Sequence, residues 1–101
     1  MVTLKSKLVT TGANGAAVPV FGSSDTQTGS VVGVIVQAHT GTVYVGTQGV
    51  DADSGIKLDA TTFDKLELPL SGSAIDLRQV YIAGGATGDK ALVLYCEKVG
   101  R

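Results

Sequence analysis

Glycine does most to limit what this chain can fold into. Fourteen glycines, many beside Thr, Ser, Asn or Asp, cut the sequence into short pieces rich in Val, Thr, Ile, Leu and Tyr. Those residue types suit a pleated, half-buried surface. The spacing predicts about eight short strands joined by turns, with no long helix between them. The expected fold class is all-β: a small β-sandwich or barrel, in jelly-roll or other Greek-key order.

Size and charge narrow the reading further. A chain of 101 residues that is 44% apolar fits one domain with one core. We read 1–101 as a single β domain, with N-terminal strands and an exposed loop over 1–30 and a core β module over 31–98. Cys96 is the one cysteine, so an intramolecular disulfide and a thiolate metal cluster are excluded. Eight basic residues against nine acidic ones give a net charge of −1, and they are scattered. A nucleic-acid binder masses positive charge on one face to neutralise phosphates, so no nucleic-acid partner is expected. Residues 1–8 lack the apolar stretch of a secretory signal, and the longest apolar run, Val31 to Val36, is broken by Gly33. The expectation is a soluble protein made in the cytoplasm without a leader, with no membrane partner. Met1 and a polar end at Arg101 suggest a complete gene product.

Along the chain, Thr3 to Thr11 reads as an edge strand, with Leu4, Ser6 and Leu8 on one face and Lys5, Lys7 and Val9 on the other. Lysines there discourage pairing between sheets. Gly12 to Gly15 supplies a turn before a short strand around Val18 to Phe21. Gly22 to Gly29 is polar, without periodicity, and reads as an exposed loop. Ser30 to Gln37 is apolar on both alternating faces. It should be a central strand, covered on both sides or half covered by a partner subunit, with Gly33 marking a bulge or a close backbone approach. Thr42 to Gly46 follows a turn at His39-Thr40-Gly41, and Ile56 to Leu58 is another strand. From Asp59 to Leu70 we expect a short turn and then a strand in which Leu66, Leu68 and Leu70 share a period of two, with Phe63 off that phase. One helical turn is expected within Ala74 to Gln79. Gln79 to Ala83 and Lys90 to Glu97 are the last two strands.

Chemistry-bearing residues are few. His39 is the one histidine, and no Gly-x-Ser-x-Gly elbow accompanies it, so a solvent-exposed or interface role fits better than catalysis. Asp51-Ala52-Asp53-Ser54-Gly55 resembles the opening of a calcium loop, but Gly55 is fifth rather than sixth and Thr62 stands where the bidentate Glu belongs. An Asp-rich turn is the better reading. Gly84 to Lys90 lacks the Gly-Lys-Ser/Thr of a phosphate loop, Asp89 would repel phosphate, and a strand follows where a helix should open. Leu92, Leu94 and Cys96 share one face, which we read as buried, making the thiol inert. Tyr44, Tyr81 and Tyr95 could form a sugar-binding surface, though strand tyrosines more often pack at a sheet margin. No enzyme, cofactor or metal site is expected.

One pattern remains, carried by Gln37-Ala38, Gly41 to Gly46, Gly55-Ile56, Leu68-Pro69-Leu70, Asp76-Leu77, Val80 to Gly84, Gly88-Asp89-Lys90 and Val93-Leu94-Tyr95. In order and spacing, residues 37 to 95 resemble small virion proteins of tailed bacteriophages; residues 1–30 lie outside the resemblance. It implies a compact β module, occurring either as a stand-alone head decoration (cement) protein or at the ends of fibres. Decoration proteins of this kind sit as homotrimers on three-fold and quasi-three-fold positions of the outer capsid surface, bridging capsomers, and the family supplies no catalytic residues. The implied partners are the major capsid protein and further copies of the chain. The alternatives are a fibre-tip or surface binding module touching host carbohydrate, or a minor neck or tail component. Candidate shell or subunit contacts are Ser23, Ser24, Asp25, Thr26, Gln27 and Thr28 in the exposed loop, with Val32 and Val34 in the doubly apolar strand.

Overall fold

The computed structural model describes residues 2–22, 30–68 and 75–98. Eight strands occur in it: β1 (Val2–Thr10), β2 (Val18–Pro19), β3 (Ser30–Thr40), β4 (Thr42–Gly46), β5 (Ile56–Asp59), β6 (Lys65–Leu68), β7 (Tyr81–Gly84) and β8 (Lys90–Lys98). They form two four-stranded antiparallel sheets, ordered β1-β8-β3-β6 and β2-β7-β4-β5. Strand β1 pairs β8, β2 pairs β7, β3 pairs β6 and β4 pairs β5. These are the partners made by folding the whole chain into one long hairpin. Wrapping that hairpin into two layers adds the pairs β3·β8 and β4·β7. The result is the jelly-roll order of a β-sandwich.

Between the sheets lies a core of small and β-branched side chains. Val31, Val36, Val43, Val93, Val20, Ile82 and Leu77 are fully buried, and Tyr95 meets Phe21 edge to face at 5.5 Å between ring centroids. Buried residues alternate along β3 and β8, as a sheet with one inner face requires. Cross-strand register sets the phase: Val34, Val36 and Ala38 lie opposite Tyr95, Val93 and Ala91, facing inward. Ile35 and Gln37 lie opposite Leu94 and Leu92, facing outward. The opposite phase would bury Gln37, Lys65 and Glu67, which costs more than leaving leucines exposed.

Several local expectations hold. Strand β3 is internal to its sheet, and its register shifts between Val31 and Gly33, the bulge expected at Gly33. Strand β1 is an edge, paired with β8 alone. The segment after Asp59 is a 3-10 turn, Ala60–Thr62, followed by β6, and a second such turn spans Leu77–Gln79. Others change. Strand β2 stops at Pro19, and Val20 and Phe21 continue as buried, irregular chain donating to the carbonyls of Val80 and Leu77. Phe63 caps its turn in the left-handed conformation (φ 56°) and stays 76% exposed, so it joins neither face of β6.

Candidate functional site

The Gly84 to Lys90 turn, which the sequence sets apart from a phosphate loop, is built around Asp89. Its carboxylate accepts hydrogen bonds from the backbone N–H groups of Gly85 (2.8 Å) and Ala86 (3.0 Å), so it occupies the amide cradle itself. Its carbonyl accepts from the Thr11 hydroxyl at 2.9 Å. A Cβ on Gly41 would collide with the Asp89 carboxylate, and one on Gly84 would lie 2.8 Å from the Asp89 Cβ. Gly41 thus comes together with Gly84 and Asp89 although it lies far from them in the sequence. Their spacing in the sequence serves this hub, where the turn before β4 meets the β7–β8 turn.

The Asp51 turn is also closed by its own chain. Asp51 Oδ1 accepts from the backbone N–H of Asp53 (2.9 Å) and Ser54 (3.0 Å) and from the Ser54 hydroxyl (3.0 Å). These donors hold the Asp51 carboxyl below the usual carboxylate range, the Asp53 N–H most of all. His39 sits exposed at the end of β3, its Nδ1 2.9 Å from the Thr40 hydroxyl. Among the described residues, no group of three or more His, Cys, Asp or Glu side chains converges on one point.

The tyrosines do not come together. Tyr95 is in the core, whereas Tyr44 and Tyr81 lie half-buried on the outer face of the β2-β7-β4-β5 sheet. The chain covers part of that face itself. Val50, only 6% exposed, folds over Gly46 and Gly55, and a Cβ on either glycine would come within 2.7 Å of its side chain. Beside this loop, Thr47, Gln48, Arg78, Gln79 and Tyr81 line a shallow groove of about 310 Å³.

The other sheet is different. The outward rows of β1-β8-β3-β6 read Leu8, Leu92, Gln37, Lys65, then Ser6, Leu94, Ile35, Glu67, then Leu4, Cys96, Gly33. Leu4 is 63% exposed, Leu8 45% and Leu92 37%. Where Gly33 has no side chain, a groove of about 310 Å³ opens, walled by Leu4, Ile35, Leu68, Leu94 and Cys96. The leucines of edge strand β1 point outward and its lysines point toward the rim of the core. Lys5 Nζ reaches the buried Glu97 carboxylate at 2.8 Å, and Lys7 Nζ lies 5.3 Å from the centre of the Phe21 ring.

Two sequence expectations are corrected here. The face shared by Leu92, Leu94 and Cys96 is the outer one, and the Cys96 thiol is half-buried beside the groove, because Val93, Tyr95 and Glu97 take the inner positions. Val34, offered as a contact, is 3% exposed and belongs to the core; Gly33 and Ile35 are its outward neighbours. Val32 is half-buried at the bulge. Ser23, Ser24, Asp25, Thr26, Gln27 and Thr28 lie outside the described residues. Sequence reasoning missed Leu4, Leu8 and Ile35 as surface residues. The signal was present in β8, where both alternating faces are apolar and one must therefore be left outside. Compared with protein-family models, curated proteins and solved structures, the chain matches none.

Proposed function

We propose that this protein is a bacteriophage head decoration protein: a non-enzymatic structural subunit that binds the outside of the capsid as a homotrimer and stabilises the lattice. The observation that carries the reading is the group of exposed leucines, Leu4, Leu8 and Leu92, on the outer face of the β1-β8-β3-β6 sheet, which no described residue covers and which assembly would remove from water. Two points support it. The pattern from Gln37 to Tyr95, similar to small phage virion proteins, includes the Asp89 hub, and the jelly roll is a common architecture of viral coat proteins. A light subunit in many copies can grip a shell through modest contacts, because multivalent engagement raises avidity.

Binding only the assembled lattice stabilises that lattice by mass action. Particles lacking the protein should release their genome at a lower temperature, or earlier under low-salt stress, than particles carrying it, and adding purified protein should restore tolerance. Deleting residues 23–28 should weaken attachment while leaving the circular dichroism spectrum unchanged, since loops on a rigid scaffold commonly carry recognition. Equal survival with and without the protein removes the cementing role. The groove beside Tyr81 favours a second reading, a fibre or surface module that touches carbohydrate. Glycan binding lost on Tyr81→Ala, with no effect on heads, would put that reading first.

A further inference from the structure

We infer that the outer face of the β1-β8-β3-β6 sheet is the surface through which copies of this chain associate, and that its occupant is a second copy. This deepens the assembly part of the proposed function. It is tested without shells, so either can fail alone.

The patterning of β1 comes first. Lys5 and Lys7 are drawn toward the core rim, as inward charges on a protected edge strand are, and this leaves Leu4 and Leu8 outside, 63% and 45% exposed. That arrangement sacrifices solubility unless the leucines are covered. The second sheet shows how the chain covers a face when it does so itself, by laying Val50 across paired glycines. No described residue does this for the first sheet. The remaining residues, 1, 23–29, 69–74 and 99–101, bring Met1, Pro69, Leu70, Ala74 and Val99 as their apolar side chains beyond glycine.

Area is the second consideration. Strands β1 and β8 are nine residues each. With strands about 4.8 Å apart and about 3.4 Å per residue, a four-stranded face on that scale measures roughly 19 by 30 Å, on the order of 500 Å². Two such faces together bring in roughly 1,000 Å², where specific interfaces begin. Relief on the face also suits a like partner. Leu8 and Leu92 stand proud at one end and the groove beside Gly33 opens at the other, so the ridge of one copy can enter the groove of the next. The margin carries both signs, Lys65 and Glu67 on β6 with Lys90 and Lys98 on β8, so a second copy brings opposite as well as like charges.

Cys96 reports on the contact, because its thiol lines the groove. Sedimentation velocity of the purified chain at tens of micromolar should give a closed oligomer rather than a 10.2 kDa monomer. The reaction of Cys96 with an aromatic disulfide reagent should slow by tenfold or more as protein concentration rises through that range. The double variant Leu4→Glu/Leu8→Glu should be monomeric with an unchanged circular dichroism spectrum, and its thiol should react quickly at every concentration. Should that variant fail to fold, the wild-type concentration series and the milder Leu92→Gln, which should shift the equilibrium toward monomer, decide the matter. A wild-type monomer with a reactive thiol at all concentrations overturns the inference, as does an oligomer that survives the double variant. If a monomeric wild type loses attachment to shells on Leu4→Glu/Leu8→Glu, the face belongs to the shell and the inference fails.

Discussion

Asp89 does at residue scale what a bound anion would do elsewhere. Its carboxylate fills an amide cradle and packs against Gly41, and its backbone carbonyl takes a hydroxyl, so the turn before β4, the β7–β8 turn and the end of β1 meet on one residue. A hydrogen bond to an ionised group is worth roughly 1.5–3 kcal/mol, so Asp89→Ala should cost about 2–3 kcal/mol by stranding the Ala86 N–H. Gly41→Ala should cost more than about 1 kcal/mol, since the backbone there has φ of +70° and the new methyl group meets the Asp89 carboxylate. Urea unfolding checks both, with a lower midpoint and an unchanged slope expected. A wild-type midpoint for either variant would show that the hub tolerates loss of its centre. The sequence identified the turn here and ruled out a phosphate loop. It did not reveal that Gly41 and Asp89 touch, because that contact joins residues far apart in the chain.

At the scale of elements, three aspartates fasten the connections. Asp59 caps the 3-10 turn before β6 and Asp76 caps the one before β7, each accepting the backbone N–H two residues on at 2.9 Å, while Asp51 closes the loop before β5. All three carboxyls are held below their usual range. For Asp59 the Thr61 hydroxyl is the main cause, for Asp76 the Arg78 guanidinium, and for Asp51 the Asp53 N–H. A carboxyl with a lowered native pKa stabilises the fold above its unfolded pKa of about 3.9 and loses that contribution as pH falls through the native value. Stability should therefore be flat from neutrality down to about pH 5 and then fall toward pH 2. Asp51→Asn/Asp59→Asn/Asp76→Asn should be less stable at pH 7 and show a shallower fall in acid. At the alkaline end the Glu97 carboxylate raises the Lys5 pKa, so that pair weakens only as pH rises through the raised value, above about 10.4. Turns at these places were legible because Asp, Gly and Ser supply them locally. Which face of each strand is buried was not. In β8 both faces are apolar, and the decision is made by Gln37, Lys65 and Glu67 on neighbouring strands, through register.

The whole molecule is one hairpin wrapped on itself, so nearly all of its pairing joins distant residues. Val2 lies opposite Lys98, and the other partners nest within that pair down to Val45 and Ile56. Glycine spacing made the strands and the sandwich legible; the nesting depends on pairings that no local pattern encodes. Such topology is costly in loop closure, and refolding at 25 °C should take milliseconds to seconds rather than microseconds. Nesting also suggests an order. The β4·β5 pair closes a short loop and can form early, whereas β1 must find β8 across the length of the chain and adds itself to a sheet already built on β3 and β8. Val9, 4% exposed on β1, tests this. Val9→Ala should raise the unfolding rate and leave the refolding rate within about twofold, the behaviour of a position whose contacts form after the transition state. Stopped-flow refolding and unfolding in urea, followed by tyrosine fluorescence, separates the two limbs. If Val9→Ala slows refolding in proportion to its loss of stability, β1 is part of the nucleus and the ends of this chain meet first.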